Sequence, residues 1–309
     1  MRDSNLQSKM AKWEGKSKGT VFGHKFFVFI LNHLGLKLAY IVLRFVALYY
    51  FLFAHKSNRS VFYFFHDVLK YKRLTTYLKI YKNYYIFGQT ILDKVALHAG
   101  VKTKFTVDHE GGSVLDKIAD TGKGGILISA HIGNWEIAGQ LLNRLNTTFN
   151  ILMYENEHEN IKKYMSEVEK KKNVNIIAIK DGEMGHIIEL HNAFSRNELV
   201  VLHGDRFREG SKTYEALFLG KKAQFPAGPF IMAAKFAVPV AFVFAVKETS
   251  THYHFFATEP IQLKRTRSEA QTDEAAQGLL KNYIEEFEKM VYRYPEQWFN
   301  YYNFWKEQE

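Results

Sequence analysis

The order of short β-branched runs and helical segments beyond residue 100 is the feature that most constrains the fold. Strands are predicted over five segments, at 125–130, 149–154, 174–180, 198–203 and 238–246. Helices are predicted between and after them, at 137–145, 160–171, 184–194, 228–236 and 269–292. This alternation predicts an α/β fold with a mixed, mostly parallel central sheet flanked by helices. Ligands bind such sheets at the carboxyl ends of the strands, where the candidate site residues are therefore sought.

Basic charge and aromatic side chains are concentrated at the N-terminus. The first 90 of the 309 residues contain 15 lysines and arginines against 3 acidic residues, and 21 of the 48 aromatic residues. The rest of the chain has 27 basic and 29 acidic residues, so it is nearly neutral. We therefore divide the chain into a basic, aromatic-rich helical segment (residues 1–90) and an α/β domain (residues 91–309) that ends in a long amphipathic helix.

The N-terminal segment has the composition of a membrane anchor. Residues 35–53 form a 19-residue apolar stretch, which is marginally long enough to span a bilayer. Lys37 and Arg44 lie inside it, and each would cost roughly 2.5–3.5 kcal/mol at the bilayer centre. A helix lying on an anionic membrane surface therefore fits better than a spanning one. Plain packing on the core and a nucleic-acid surface are the alternatives; we expect a membrane and no nucleic acid as partner.

Composition excludes several kinds of chemistry. The chain has no cysteine, which removes disulfide scaffolds, cysteine-ligated zinc, thiol nucleophiles and iron–sulfur clusters. The sequence also lacks Gly-x-Ser-x-Gly, a Walker loop and His-Glu-x-x-His. We therefore expect no metal, no cofactor and no covalent serine or cysteine intermediate.

A histidine and a carboxylate follow the first predicted strand, in His131-Ile132-Gly133-Asn134-Trp135-Glu136. Residues five apart do not share a face on a helix or a strand, so this pair meets only across a turn. Gly133 and Asn134 supply the turn, and Asn134 can cap the following helix.

The same spacing recurs at His254 and Glu259, in an extended segment with no turn, so we discard that pair. Chemically, a neutral His131 could take a proton from an acceptor hydroxyl while Glu136 orients the imidazole. The alternative is a histidine that packs at a strand end beside a salt-bridged glutamate.

Two further groups of candidates follow later strands. Asp205 and Arg206 leave the fourth predicted strand, where they could bind a polar headgroup or stabilise an oxyanion; the alternative is a surface ion pair. Phe225 and Gly228 belong to an apolar Pro/Gly loop before a helix. That loop could line an acyl channel or simply be a packed turn.

Two motifs together resemble one known family. The segment from His131 to Glu136 resembles the His-x-Gly-Asn-Trp-Glu signature of the bacterial late lipid A acyltransferases, the lauroyl and myristoyl transferase family of the lysophospholipid acyltransferase-like superfamily. Tyr294-Pro295-Glu296-Gln297-Trp298 resembles that family's Pro-Glu-Gln-Trp ending.

The resemblance implies a membrane-associated enzyme on the cytoplasmic face of the bacterial inner membrane. It would move a fatty acyl chain from an acyl carrier protein thioester to a hydroxyl of a lipid acceptor. His131 would be the general base, Glu136 its partner and Asp205 a supporting acid, and Asn134 and Trp135 would be supporting or substrate-binding members of the motif.

Departures from the family pattern leave the acceptor open. Asp205-Arg206 stands where the family has Asp-Gln, and Phe299-Asn300 follows Trp298 where the family continues Trp-x-His-Arg-Arg. Three features more closely resemble a side branch of predicted acyltransferases, whose members can accompany pigment-lipid pathways: Gly204-Asp205-Arg206, the Phe-Pro-x-Gly-Pro loop from Phe225, and the opening segment at residues 13–19. The acceptor is therefore either lipid A-like or another glycolipid or pigment lipid. A lipid (thio)esterase that uses water, and a non-catalytic lipid-binding protein, are the alternative functions. Acidic acyl carrier protein could be recognised by the lysine runs at Lys162, Lys163, Lys170, Lys171, Lys172, Lys221 and Lys222.

Overall fold

The computed structural model describes residues 21–98, 103, 105–134, 137, 147–154, 174–180, 185–208 and 210–305. Two of the predicted helices lie outside these residues: the one at 160–171 entirely, and the one at 137–145 apart from Ile137, which is helical.

The N-terminal part of the described chain is helical. It comprises α1 (Val21–Phe53), α2 (His55–Phe62), a π-helical segment (Tyr63–Val68) and α3 (Arg73–His98). Gly35 interrupts α1 with φ 79° and ψ 173°, so α1 consists of two helices joined at a kink. The predicted boundary at residue 90 falls inside α3, and the division of the chain into two domains stays a prediction.

A mixed, mostly parallel sheet forms the centre of the molecule, as predicted. Its strands are β1 (Thr106–Glu110), β2 (Gly125–Ser129), β3 (Phe149–Tyr154), β4 (Val174–Ile179), β5 (Leu199–His203), β8 (Pro239–Lys247), β9 (His252–Ala257) and β10 (Ile261–Gln262). Their order is β1-β9-β8-β2-β5-β3-β4, with β10 also paired to β8. Only β8 with β9 and β8 with β10 are antiparallel among the described pairs of this sheet. A separate hairpin joins β6 (Thr213–Phe218) to β7 (Lys221–Pro226).

Helices cover both faces of this sheet: α4 (Gly112–Asp120), α5 (Gly185–Ser195), α6 (Gly228–Phe236) and α7 (Glu269–Arg293). Because side chains alternate along a strand, β2 sends Leu127 into a core with Leu115 of α4 and sends Ile128 into a larger core with Phe287 of α7. Every residue of β2 and β8 is buried, which explains their continuous apolar runs.

One face of α1 packs on α3 and the other is exposed. Gly88 allows the close approach, because an added Cβ there would lie 2.4 Å from Leu43 Cδ1. Phe26–Phe53 is long and apolar enough to cross a membrane; an 18-residue stretch of it has a mean hydropathy of 1.9, and a third of that stretch is buried in the protein. Core packing, the alternative to membrane association for this segment, therefore occurs on one face of α1, while the other face leaves apolar side chains exposed.

Candidate active site

The sheet register brings His131 and Asp205 together. Ser129, at the end of β2, is the cross-strand partner of His203, at the end of the parallel strand β5. His131 and Asp205 each lie two residues beyond this pair, so the two chains carry their side chains to the same point at the carboxyl edge of the sheet. Gly204 allows this, since an added Cβ there would lie 2.8 Å from the ring of Tyr283.

The Asp205 carboxylate holds His131 by two hydrogen bonds. Oδ1 lies 2.7 Å from the imidazole Nδ1, and Oδ2 accepts the His131 backbone N–H at 3.0 Å. The indole Nε1 of Trp298 donates to Oδ2 at 3.3 Å. The Asp205 side chain is 1% exposed and that of His131 is 26% exposed. Asp205 is therefore no surface ion-pair residue, and that alternative from the sequence is wrong.

The protonation of the pair follows from these contacts. Burial alone would raise the pKa of Asp205, but electrostatic attraction to His131 and the hydrogen bond from its imidazole hold that pKa well below its usual range. An ionised carboxylate only accepts hydrogen bonds, so Nδ1 carries the proton and Nε2 has the free lone pair. Burial, with the positive charge of Arg206, lowers the pKa of His131 against the opposing effect of Asp205. His131 is therefore neutral near pH 7, the state a general base needs.

His203 and Arg206 complete the surroundings of His131. The ring of His203 stacks on that of His131 with centroids 4.4 Å apart. Burial and the neighbouring His131 lower the pKa of His203 to about 3, so it stays neutral. Arg206 donates from a terminal guanidinium nitrogen to the carbonyl of Phe299 at 2.8 Å, which fixes a positive charge beside the site. Sequence reasoning missed His203, although its place at a strand end next to Asp205 was a usable signal.

The predicted turn at Gly133 and Asn134 is confirmed. Gly133 has φ 68°, and an added Cβ would lie 1.9 Å from the carbonyl oxygen of Ala245 on β8. Only glycine fits this close backbone approach. Asn134 Oδ1 accepts the backbone N–H of Ile137 at 3.4 Å, which is the predicted helix-capping contact.

The Pro-Glu-Gln-Trp segment packs directly against the histidine turn, a role that the sequence did not predict. Gly133 N donates to the carbonyl of Gln297 at 2.9 Å, and Phe299 N donates to the carbonyl of His131 at 3.0 Å. Glu296 pairs with Lys79 of α3 at 2.6 Å. This C-terminal segment therefore ties the histidine turn to the N-terminal helices.

The remaining candidates are placed as follows. Trp135 and Glu136 lie outside the described residues. Phe225 is fully buried and packs in the aromatic core against Phe218, Tyr283 and Phe304, and Gly228 is the first residue of α6.

His254 and Glu259, the pair that was discarded on sequence grounds, contact different partners. His254 Nδ1 lies 3.2 Å from Glu248, and Glu259 pairs with Lys117 at 2.7 Å. Of the lysines considered for carrier binding, Lys221 donates to the Tyr63 hydroxyl at 2.7 Å and Lys222 pairs with Glu215 at 2.9 Å. The runs Lys162, Lys163 and Lys170, Lys171, Lys172 lie outside the described residues.

The described residues contain no group of three or more His, Asp or Glu side chains that could hold a metal ion. What they provide is a partly exposed, neutral imidazole oriented by a buried carboxylate. This arrangement can remove a proton from a hydroxyl or a water molecule.

Comparison with known proteins shows the family to which the chain belongs. The model of the family described as "Bacterial lipid A biosynthesis acyltransferase" matches residues 76–307. Among solved structures, the chain is similar to the 1-acyl-sn-glycerophosphate (LPA) acyltransferase, PlsC, from Thermotoga maritima, with 17% identity, 81% of this chain and 97% of that chain covered, and a TM-score of 0.38. No curated protein matches the sequence.

The chain is therefore an acyltransferase. It belongs to the bacterial lipid A biosynthesis acyltransferase family, and the resemblance seen in its two motifs is confirmed.

Proposed function

We propose that this acyltransferase moves a fatty acyl chain from an acyl carrier protein thioester to a hydroxyl of a lipid acceptor, with His131 as the general base. The observation that carries the proposal is the 2.7 Å contact between His131 Nδ1 and Asp205 Oδ1. It leaves Nε2 of a partly exposed imidazole as the proton acceptor. The acceptor is lipid A-like or another glycolipid or pigment lipid.

The proposed reaction needs no covalent enzyme intermediate. The acceptor hydroxyl gives its proton to His131 Nε2 as its oxygen attacks the thioester carbonyl carbon. When the tetrahedral intermediate collapses, the new C–O bond remains and the C–S bond breaks. The leaving sulfur takes the proton from the imidazolium, which gives a free thiol on the carrier protein. Asp205 stabilises the imidazolium between these two proton transfers.

Two other residues have proposed roles in this reaction. Arg206 supplies positive charge for the developing oxyanion, or for an anionic headgroup of the acceptor. Glu136 is the histidine partner that the family motif implies, and it is tested beside Asp205 by matched carboxylate-to-amide variants. If Glu136→Gln retains full activity while Asp205→Asn loses it, Asp205 alone orients the base.

We also propose that the protein lies on the cytoplasmic face of the inner membrane rather than crossing it. Tyr40, near the middle of the apolar stretch, bonds to Asp93 and Lys247 in the body of the protein, which keeps α1 against that body. On its other face, Phe45 is 70% exposed, and further exposed apolar side chains follow at Ile41, Leu48, Leu52 and Phe53. The exposed cations of this segment, Lys37 and Arg44 among them, would face anionic headgroups.

The experiment uses the purified full chain in anionic vesicles, with radiolabelled acyl carrier protein thioester as donor. Products are separated with and without lipid extract from the source membrane. Labelled lipid ester that forms only with the extract supports transfer to a lipid hydroxyl. Equal release of free fatty acid under both conditions would identify a thioesterase instead. Mass spectrometry of lipids from a deletion strain and its parent then identifies the acceptor.

A further inference from the structure

A buried polar cluster lies where α1, α3, β8 and β9 meet. Asp93 and Lys247 form an ion pair with side chains 0% and 3% exposed. The hydroxyls of Tyr40 and Tyr253 both donate to the Asp93 carboxylate. Lys247 Nζ also donates to the carbonyl of Ser250 at 2.8 Å. We call Asp93, Lys247, Tyr40 and Tyr253 the Asp93 cluster.

A contribution to fold stability does not by itself explain an ion pair that is this deeply buried. Removing two charges from water costs several kcal/mol per ion, and apolar residues of similar size often stabilise a core as well or better. A fully bonded polar cluster does, however, fix the relative positions of the elements that it joins. The Asp93 carboxylate accepts hydrogen bonds from three donors, so the directions of these bonds fix the geometry of the cluster in addition to side-chain packing.

The cluster reaches the histidine turn by a first route through Gln297. Lys247 N donates to Gln297 Oε1 at 2.8 Å, and Gln297 Nε2 donates back to the carbonyl of Lys247 at 2.7 Å. The carbonyl of Gln297 accepts the N–H of Gly133 at 2.9 Å. Gly133 lies two residues after His131, so the backbone of Lys247 is connected to the turn that carries the base.

A second route runs through Asn134. Its side-chain amide donates to the carbonyl of Thr90 at 3.1 Å and lies beside the hydroxyl of Tyr253. Thr90 lies one helical turn before Asp93 on α3. Both tyrosine hydroxyls donate to the Asp93 carboxylate and accept from Lys247 Nζ. They differ in their other neighbour: the Tyr253 hydroxyl lies beside Asn134 of the turn, whereas the Tyr40 hydroxyl donates to the carbonyl of Ser250.

We propose that Asp93, Lys247 and Tyr253 are positioning residues that hold the Gly133-Asn134 turn, and through it His131, in the geometry required for proton transfer. We place these residues outside contact with the acyl donor and the acyl acceptor. They act on His131 through Asn134 and Gln297. This role rests on His131 being the base, as proposed above.

The two tyrosines provide a matched test, because each variant to phenylalanine removes one hydroxyl bond to Asp93 and keeps the ring. Only Tyr253→Phe also removes a hydroxyl that lies beside Asn134. Since misplacement of a reacting group by about 1 Å can cost 10²-fold in rate, we expect kcat to fall by about tenfold or more in Tyr253→Phe, with KM changed by less than about twofold. Tyr40→Phe should keep the wild-type kcat, and both variants should have similar midpoints of thermal unfolding.

A second measurement is independent of activity. In protein labelled with ¹⁵N-histidine, the Nδ1–H signal of His131 is assigned by its loss in His131→Gln. We expect this signal to shift or broaden in Tyr253→Phe and to stay unchanged in Tyr40→Phe. If the wild-type protein transfers no acyl chain, the proposed function fails, but this signal still decides whether Tyr253 positions His131.

The ion pair itself is tested with the apolar double variant Asp93→Leu, Lys247→Met. A folded double variant with lowered kcat and a shifted His131 signal supports positioning; if it fails to fold, the tyrosine pair decides. Wild-type kcat and an unchanged His131 signal in Tyr253→Phe, or equal effects in the two tyrosine variants, would overturn the proposal.

Discussion

His131 and Asp205 come from strands that are 74 residues apart in sequence and adjacent in space, and their side chains meet at 2.7 Å between Nδ1 and Oδ1. The backbone N–H of His131 bonds to the second oxygen of the same carboxylate. Because both bonds come from one buried aspartate, the orientation of the ring and its tautomer are set together.

Removing the negative charge of Asp205 should therefore cost far more activity than stability. We expect Asp205→Asn to lower kcat by up to about 10⁴-fold, the loss seen when the histidine base of a catalytic triad loses the carboxylate that orients it. The matched control is Asp108→Asn, whose exposed carboxylate lies 3.5 Å from His252 Nε2. Rates with the acyl thioester donor are compared at equal folded fraction. An Asp205→Asn rate within about twofold of the wild type would refute the role of Asp205.

Stability should depend on pH through His203. Its pKa is lowered from 6.5 to about 3 in the folded protein, so below pH 6.5 the unfolded chain binds a proton that the folded one does not. The free energy of unfolding should therefore decrease as the pH falls from 6.5 towards 3. His203→Phe keeps a ring to stack on His131 and removes this titration. Urea unfolding at several pH values should show a smaller decrease for the variant, and equal slopes would contradict the buried neutral state of His203.

Gly133 should tolerate no side chain. Gly133→Ala places a Cβ 1.9 Å from the carbonyl oxygen of Ala245 and forces φ 68° on an alanine. The control is Gly220→Ala, at φ 78° with nothing within 4 Å of the added Cβ. Backbone strain alone should lower the free energy of unfolding by about 1–2 kcal/mol in the control. Denaturant unfolding should show a larger loss for Gly133→Ala, together with loss of transfer; similar losses in both would rule out the close approach.

The exposed face of α1 should bind membranes. We expect the double variant Phe45→Ser, Leu48→Ser to float poorly with vesicles of phosphatidylglycerol and phosphatidylcholine, because it loses apolar area that enters the interface. Wild-type binding should weaken at high salt, since the segment is basic. The control is Ile188→Ser, an apolar residue with 65% exposure on α5. Equal flotation of the α1 variant, the control and the wild type would show that α1 is not the membrane-binding face.

The sequence predicts five of the ten described strands and does not predict their order. The β-branched runs that became β2, β3, β4, β5 and β8 are confirmed to within a residue or two, because apolar strands buried on both faces have a clear composition. The strands β1, β6, β7, β9 and β10 were not predicted. Charged and polar side chains interrupt them, as in β1 and β7, so the pattern of their buried faces is weak.

The site is predictable only in part for a related reason. A strand end and a turn were enough to single out His131 and Asp205 separately. Their contact depends on β2 pairing with β5, although β3 and β4 lie between them in sequence, and that order comes from long-range packing. The contact of Gln297 with Gly133 depends on a segment more than 160 residues further along the chain, which no local pattern indicates.

The most direct test of the account is acyl transfer by His131→Ala in the vesicle assay, beside wild-type protein with the same unfolding midpoint and the same vesicle binding. The account predicts that the wild type forms labelled lipid ester and that His131→Ala forms none above the rate without enzyme. Lipid ester formation by His131→Ala at the wild-type rate would contradict it.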